Sequence, residues 1–191
     1  MHLSPDVAVV LVRHGETEWS RTGRHTSYSD VALTPHGCDQ ARELATRLAG
    51  VDFSLVLTSP RARARTTCEH AGLASRVEVT DDLAEWHYGE YEGRTTEEIR
   101  AEVPGWTIFR DGAPGGETAD GVAARADRII ARATAAGGVV ALFSHAHFLR
   151  VLGARWIGQP AAAGAWLSLD TATLSCLGHE REQRVLRVWN A

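Results

Sequence analysis

The chain has 191 residues, 44% of them hydrophobic and 23% charged, with a net charge of −4, enough for one domain with a sizeable core and without the basic excess that nucleic acid attracts. Its 20 Lys+Arg residues are all arginine, which excludes a Schiff-base lysine and the lysine of a P-loop and leaves Arg, His and backbone N–H groups to hold any anion. Cys38, Cys68 and Cys176 stand at wide spacings with no C-x-x-C pair, so three buried packing thiols in a reducing, cytoplasmic setting are expected rather than a disulfide framework or a zinc knuckle.

Val7 to Val12 is a β-branched, apolar run suited to a strand buried on both faces. No basic segment precedes it and it is far shorter than the roughly 20 residues of a membrane span, so neither an export signal nor a membrane anchor is expected. Thr34-Pro35 offers an N-cap and an N1 proline for a helix through Ala41, Leu44, Ala45 and Leu48, stopped by Gly50. Phe53 to Ser59 reads as a second buried strand, and Ser59-Pro60 starts a helix with Ala64, Cys68 and Ala71 on one face and Gly72 at its end. A short strand at Val77 to Val79 leads into DDLAEWHYGEYEGRTTEEIR, which has no strand or long-helix period before about Thr95 and reads as an insertion laid over something. The loop DGAPGGET precedes a helix carrying Val122, Ala126, Ile129, Ile130 and Ala133, ended by Gly137-Gly138. Val139 to Ser144 is a third buried strand, followed by a helix with Phe148, Leu149, Val151, Leu152 and Trp156, and TLSCLGHE with RVLRVWN reads as a terminal hairpin. Strands alternating with helices predict one α/β domain over 1–191, a three-layer sandwich with a mainly parallel central sheet.

Ligands of open α/β sheets bind at the carboxyl ends of the strands. The first strand ends in Arg13-His14-Gly15, the second in TSPRARART and the third in SHAHFLR, with His145 directly after Ser144. Arginine suits the planar oxygens of phosphate, and Gly15 is expected to let backbone approach an anion. A carboxylate site would also draw arginine, but it needs no histidine at two strand ends. A neutral imidazole nitrogen is nucleophilic near pH 7, so the convergence points to phosphoryl chemistry.

LVRHGETEW resembles the signature of the histidine phosphatase superfamily, the phosphoglycerate mutase-like proteins. LTPHGCDQA, TSPRARARTT and SHAHFLR resemble that family's further segments in the family's order, so the resemblance runs from about Val9 to Arg150. It implies His14 as the phosphorylated nucleophile, Arg13 and Arg63 as phosphate ligands, and His145 as the second histidine of the pocket. Glu85, in LAEWHYGEYEG, resembles the family's acid and base. An ordinary Glu with a pKa near 4.3 is protonated in only about 0.2% of molecules at pH 7, so Glu85 needs a raised pKa, for which Trp86 and Tyr88 are the candidate desolvating neighbours, or else an acidic optimum.

The mutase pattern carries Asn where this chain has Ser20, Thr-Gly where it has Thr26-Ser27, and a lysine that the chain lacks. EWHYGEYEG, FRDGAPGGET and SHAHFLR look instead like the branch containing acid phosphatases and sedoheptulose-1,7-bisphosphatase-like enzymes. The resemblance therefore implies a metal-independent phosphatase, without cofactor, of small phosphorylated metabolites, sugar phosphates first; a mutase and an inactive phospho-ligand-binding protein are the alternatives. Substrate contacts are expected from Ser20, Thr26, Ser27, Tyr88, Gly116, Thr118, Ala146 and His147 beside Arg13, Arg63 and Glu85, with Arg21, Arg24 and His87 in reserve. Arg61 and Arg65 are expected on a solvated helix face, Trp19 and Trp86 are divided between packing and substrate contact, and His145-x-His147 is not expected to bind metal. A homodimer through an edge strand is compatible with the sequence.

Overall fold

The computed structural model describes residues 6–191. The expectations resting on the first five residues, that the domain begins at Met1 and that no leader occupies them, lie outside the described residues. In chain order the elements are β1 (Val7–Arg13), α1 (Glu18–Arg21), α2 (Pro35–Leu48), β2 (Phe53–Thr58), α3 (Ala62–His70), β3 (Val77–Val79), α4 (Thr96–Glu102), α5 (Ile108–Asp111), α6 (Ala119–Ala136), β4 (Val139–Ser144), α7 (Ala146–Trp156), β5 (Leu174–Glu180) and β6 (Gln183–Val188). They form an α/β fold around one six-stranded sheet of order β3-β2-β4-β1-β5-β6. The pairs β1/β4, β2/β4 and β2/β3 are parallel, and β5 and β6 add an antiparallel hairpin. The expected mainly parallel sandwich is what the chain forms, with β3 and β6 as the two edges where an edge-paired homodimer would meet.

The continuous apolar character of β1 follows from burial on both faces. Val9 and Leu11 join the core beneath α6 and α7, with Ile129, Leu149 and Leu152. Val10 and Val12 pack on the other face with Leu44, Leu48 and Cys68 of α2 and α3. Alternate side chains of one strand thus serve two separate cores, a pattern that no single-faced strand requires. α3 begins later than expected, at Ala62, because Arg61 keeps an extended backbone as its N-cap.

The register aligns the strand ends. Arg13 pairs with Ser144 and Thr58 with Phe143, and the first residues beyond remain bonded across the edge, His14 N–H to Ser144 O at 3.0 Å and Ser59 N–H to Phe143 O at 2.9 Å. His14, Ser59 and His145 therefore leave three neighbouring strands at one level. Among the described residues no helix is long and apolar enough to cross a membrane.

Candidate active site

The loop that follows β1 is clamped from two helices. Gly15 N–H donates to Thr67 Oγ1 at 3.0 Å, and Thr67 in turn donates to Arg63 O at 2.7 Å. Glu16 N–H donates to Gln40 Oε1, Thr34 N–H to Glu16 O, and the Thr34 hydroxyl to Glu16 Oε1. A Cβ on Gly15 would sit 2.4 Å from Gly37 O, and one on Gly37 would sit 2.1 Å from Glu16 O. Both glycines are thus required by backbone packed on backbone. The Gly15 N–H is taken by Thr67, so this glycine serves the clamp of the loop.

His14 is 6% exposed and lines a cleft of about 250 Å³. Its Nδ1 lies 2.7 Å from Gly15 O. A carbonyl can only accept, so Nδ1 carries the proton and the neutral ring keeps its lone pair on Nε2. Burial, then the charges of Arg63 and Arg13, hold the ring well below the usual imidazole range, against the Gly15 bond. His14 is consequently neutral near pH 7. Beside it Arg13 donates through Nη1 to Leu169 O, while its Nε is buried with no hydrogen-bond partner, a donor whose natural complement is an anionic oxygen.

Arg63 and His145 do not line the cleft, contrary to the expectation for phosphate ligands. Both are completely buried, at 1% and 0% exposure, with the His145 ring 5.1 Å from that of His14 between centroids. Arg63 Nε donates to His145 Nδ1 at 3.1 Å, Nη1 to Ser29 O at 2.9 Å, and Nη2 to Thr26 O and Ser27 O at 3.0 and 3.3 Å. Its donors are held by the 26–29 loop. Since Arg63 occupies Nδ1, His145 is protonated on Nε2, which meets Ser59 Oγ at 2.7 Å. Burial, followed by Arg63 and His14, lowers His145 well below its usual range. This pair packs beneath His14, and of the two it is the Arg63 charge that bears on the His14 ring.

Glu85 faces His14 across the cleft and is 6% exposed. It accepts from Trp86 N at 2.8 Å and from the first turn of α7, Phe148 N at 2.8 Å and His147 N at 3.1 Å. These amides favour the carboxylate, yet burial outweighs them and raises the pKa above the ordinary Glu range. Trp86 contributes as packing, buried against Phe109 with its indole N–H on Glu117 O.

Ser20, Thr26, Tyr88, Ala146 and His147 also line this cleft. The Tyr88 hydroxyl meets His147 Nδ1 at 2.5 Å, and burial, then Arg150 and His25, keeps His147 neutral and able to accept. Ser20 Oγ is bound within the cap of α1, at Thr17 N and O. Ser27 lies elsewhere, with its hydroxyl and N–H on Glu92. Gly116 and Thr118 are corrected too: Gly116 packs behind the Glu85 segment, where a Cβ would meet His87 O at 2.5 Å, and the Thr118 hydroxyl caps α6 by accepting from Gly121 N. Arg21 points away, paired with Glu18 at 2.7 Å on the surface, whereas Arg24 lines the cleft. Trp19 packs on Gly93, and Cys38 is only half-buried while Cys68 and Cys176 are buried. Arg65 is exposed as expected; Arg61 is half-buried, with its guanidinium 4.9 Å from the Tyr28 ring. The ring nitrogens of His145 and His147 hold different partners, and no group of three or more His, Cys, Asp or Glu among the described residues is placed to hold a metal ion.

Sequence reasoning missed Gly23, His25, Thr96, Arg150 and Leu169 of the lining. Arg150 was findable, because it lies three residues after His147 on α7 and so shares its face. Leu169 comes from an irregular segment and carries no periodic signal.

Residues 9–191 match the family model described as the histidine phosphatase superfamily (branch 1). Over 185 residues the chain is 43% identical to an acid phosphatase of Mycobacterium tuberculosis, covering 94% of this chain and 90% of that one. Over 182 residues it is 35% identical to sedoheptulose 1,7-bisphosphatase of Saccharomyces cerevisiae, covering 78% and 67%. A solved structure of an M. tuberculosis open reading frame product aligns with a TM-score of 0.91 at 39% identity, covering 95% and 96%. Mycobacterial glucosyl-3-phosphoglycerate phosphatase aligns with a TM-score of 0.83 at 28% identity, covering 96% and 98%.

Proposed function

Since the chain belongs to the histidine phosphatase superfamily, branch 1, we propose that it is a phosphoric monoester hydrolase acting on small phosphorylated metabolites, with sugar phosphates as the first class to test. The observation that carries this reading is the juxtaposition in one cleft of a neutral His14 with its Nε2 lone pair free, an Arg13 Nε–H lacking any acceptor, and a Glu85 held protonated more readily than usual.

In the first step His14 Nε2 attacks phosphorus in line, the P–O bond to the leaving group breaks, and the Glu85 proton passes to the leaving oxygen. Arg13 binds an equatorial oxygen, while buried Arg63 stabilises the transferred charge from beneath. In the second step Glu85, now a carboxylate, takes a proton from water as that water attacks the phosphohistidine; inorganic phosphate leaves and His14 is regenerated neutral. Monoester hydrolysis is among the slowest uncatalysed reactions, requiring up to about 10²¹-fold acceleration, so charge stabilisation has to exceed what one proton transfer supplies. Three free cysteines suit a reducing cytoplasm.

The test is hydrolysis of p-nitrophenyl phosphate by the parent and His14→Ala proteins, with and without chelator. Parent activity that survives chelation and disappears in His14→Ala supports the reading. Equal rates in the two proteins overturn it.

A further inference from the structure

A second cavity of about 600 Å³ opens on the far side of Glu85, which lines both spaces. Its wall includes Tyr28, Arg61, His87 and Arg125. The arginines that reach the two cavities differ in what holds them. In the His14 cleft Arg24 is bonded to Gly93 O at 2.7 Å, and Arg150 to Gly164 O at 2.9 Å and Ala165 O at 3.0 Å. In the second cavity Arg125 is fully engaged, with Nε and Nη2 on the Glu117 carboxylate at 2.8 and 2.7 Å and Nη1 on Ala84 O and Asp82 O.

Arg61 stands apart. Its guanidinium lies over the Tyr28 ring at 4.9 Å, Tyr28 is braced edge-on by His87 at 4.5 Å, and Arg61 Nε is buried with no hydrogen-bond partner. Among the described residues Arg61 pairs with no acid. A half-buried guanidinium stacked on a ring keeps its plane fixed, and with Nε buried its two Nη groups, which donate to no described residue, are the donors that can meet two oxygens of a phosphate or carboxylate side by side. A leaving group that takes its proton from Glu85 lies against the residue that the His14 cleft shares with the cavity of Arg61. The remaining acid of the wall, exposed Asp81, is an acceptor suited to a substrate hydroxyl.

We propose that Arg61 and Tyr28 form a second anion subsite, so that the preferred substrates carry, besides the phosphate placed at His14, a second anionic group on the leaving portion. This rests on the phosphomonoesterase reading above and narrows its substrate class.

The test compares α,ω-alkanediol bisphosphates of two to six carbons with the monophosphates of the same diols, and reads the ratio of their kcat/KM values. The parent is expected to prefer the bisphosphate at one or two chain lengths by at least tenfold. In Arg61→Gln that ratio falls at least tenfold, chiefly through KM, and Arg61→Lys, which keeps the charge without the fork, restores only part of it. Replacing the bisphosphates by ω-phosphoalkanoates decides between phosphate and carboxylate as the distal group. A parent without preference, or a ratio unchanged within twofold in Arg61→Gln, overturns the subsite even where absolute rates fall. A parent that hydrolyses neither series overturns the phosphatase reading instead. Calorimetric titration with the bisphosphates then still decides the subsite, an at least tenfold weaker Kd in Arg61→Gln supporting it and an equal Kd overturning it.

Discussion

The floor beneath His14 and the wall around Glu85 are made in different ways. The floor comes from three adjacent strand ends held in register, and its polar groups are partnered to one another: Arg63 with His145, His145 with Ser59, Thr67 with Gly15. The wall comes from an irregular segment between β3 and α4, stitched to the Gly116 loop by Glu90 N–H to Pro114 O and Glu117 N–H to His87 O. A rigid sheet edge fixes the chemistry, and a loop whose backbone is satisfied by another loop sets what stands opposite it. Damage to the floor should therefore abolish turnover, and damage to the wall should alter which esters turn over and at what pH.

The largest effect is expected at His14. His14→Ala should lower kcat by at least about 10⁴-fold and eliminate the acid-labile phosphoenzyme trapped from a radiolabelled substrate, with an unchanged circular dichroism spectrum. Retention of the label would break the assignment of the floor as the site of phosphoryl transfer.

At the wall, Glu85→Gln should cost about 10²–10⁴-fold on alkyl phosphates, whose leaving oxygen needs a proton. p-Nitrophenyl phosphate, with its weakly basic leaving group, should lose much less. Because burial raises the Glu85 pKa, the acid form persists to higher pH than in an ordinary Glu, and kcat/KM for alkyl phosphates should decline as pH rises through that raised value. The decline should vanish in Glu85→Gln. An equal loss on both ester types would remove Glu85 from the role of acid.

Gly15→Ala tests the clamp rather than the chemistry. Its Cβ would lie 2.4 Å from Gly37 O, and since both partners are backbone the loop has to shift, at a cost of about 1–3 kcal/mol. Denaturant unfolding should show that loss together with a fall in kcat. Tyr88→Phe should do less. It removes one hydrogen bond to His147 Nδ1, worth about 0.5–1.5 kcal/mol, and the expected result is a rise in KM of at most about tenfold with a smaller change in kcat.

What the sequence made legible follows the same division. Alternating burial of Val9 and Val10 on opposite faces produces the continuous apolar run that marks β1, and the strand-end rule then locates His14 and His145 without further information. The motif glycines and threonines were legible as a pattern, but their reasons were not: Gly37 against Glu16, Thr67 against Gly15 and Gly116 against His87 are contacts between segments far apart in the chain. Arg61 shows the limit most clearly. It lies two residues from Arg63 at the start of one helix, and nothing local distinguishes them; Arg63 meets His145 and three carbonyls, whereas Arg61 meets the ring of Tyr28.

The smallest effect expected is on stability, at the junction of floor and wall. His25 is 8% exposed, packed against Tyr88, Trp106 and His147, and burial lowers its pKa to about 4 although Glu92 pulls the other way. Between pH 4 and the ordinary imidazole value of 6.5 the unfolded chain therefore binds a proton that the folded chain refuses. This contribution to stability is present above about pH 6.5 and is lost as the pH falls toward 4. Glu85 has the opposite sign, since its raised folded pKa favours the folded state at low pH and that contribution fades as pH rises. In urea titrations between pH 7 and 4, His25→Asn should reduce the pH slope of the unfolding free energy by up to one proton. A slope that does not change would place the acid sensitivity in the other buried histidines, His14, His145 and His147, and not at His25.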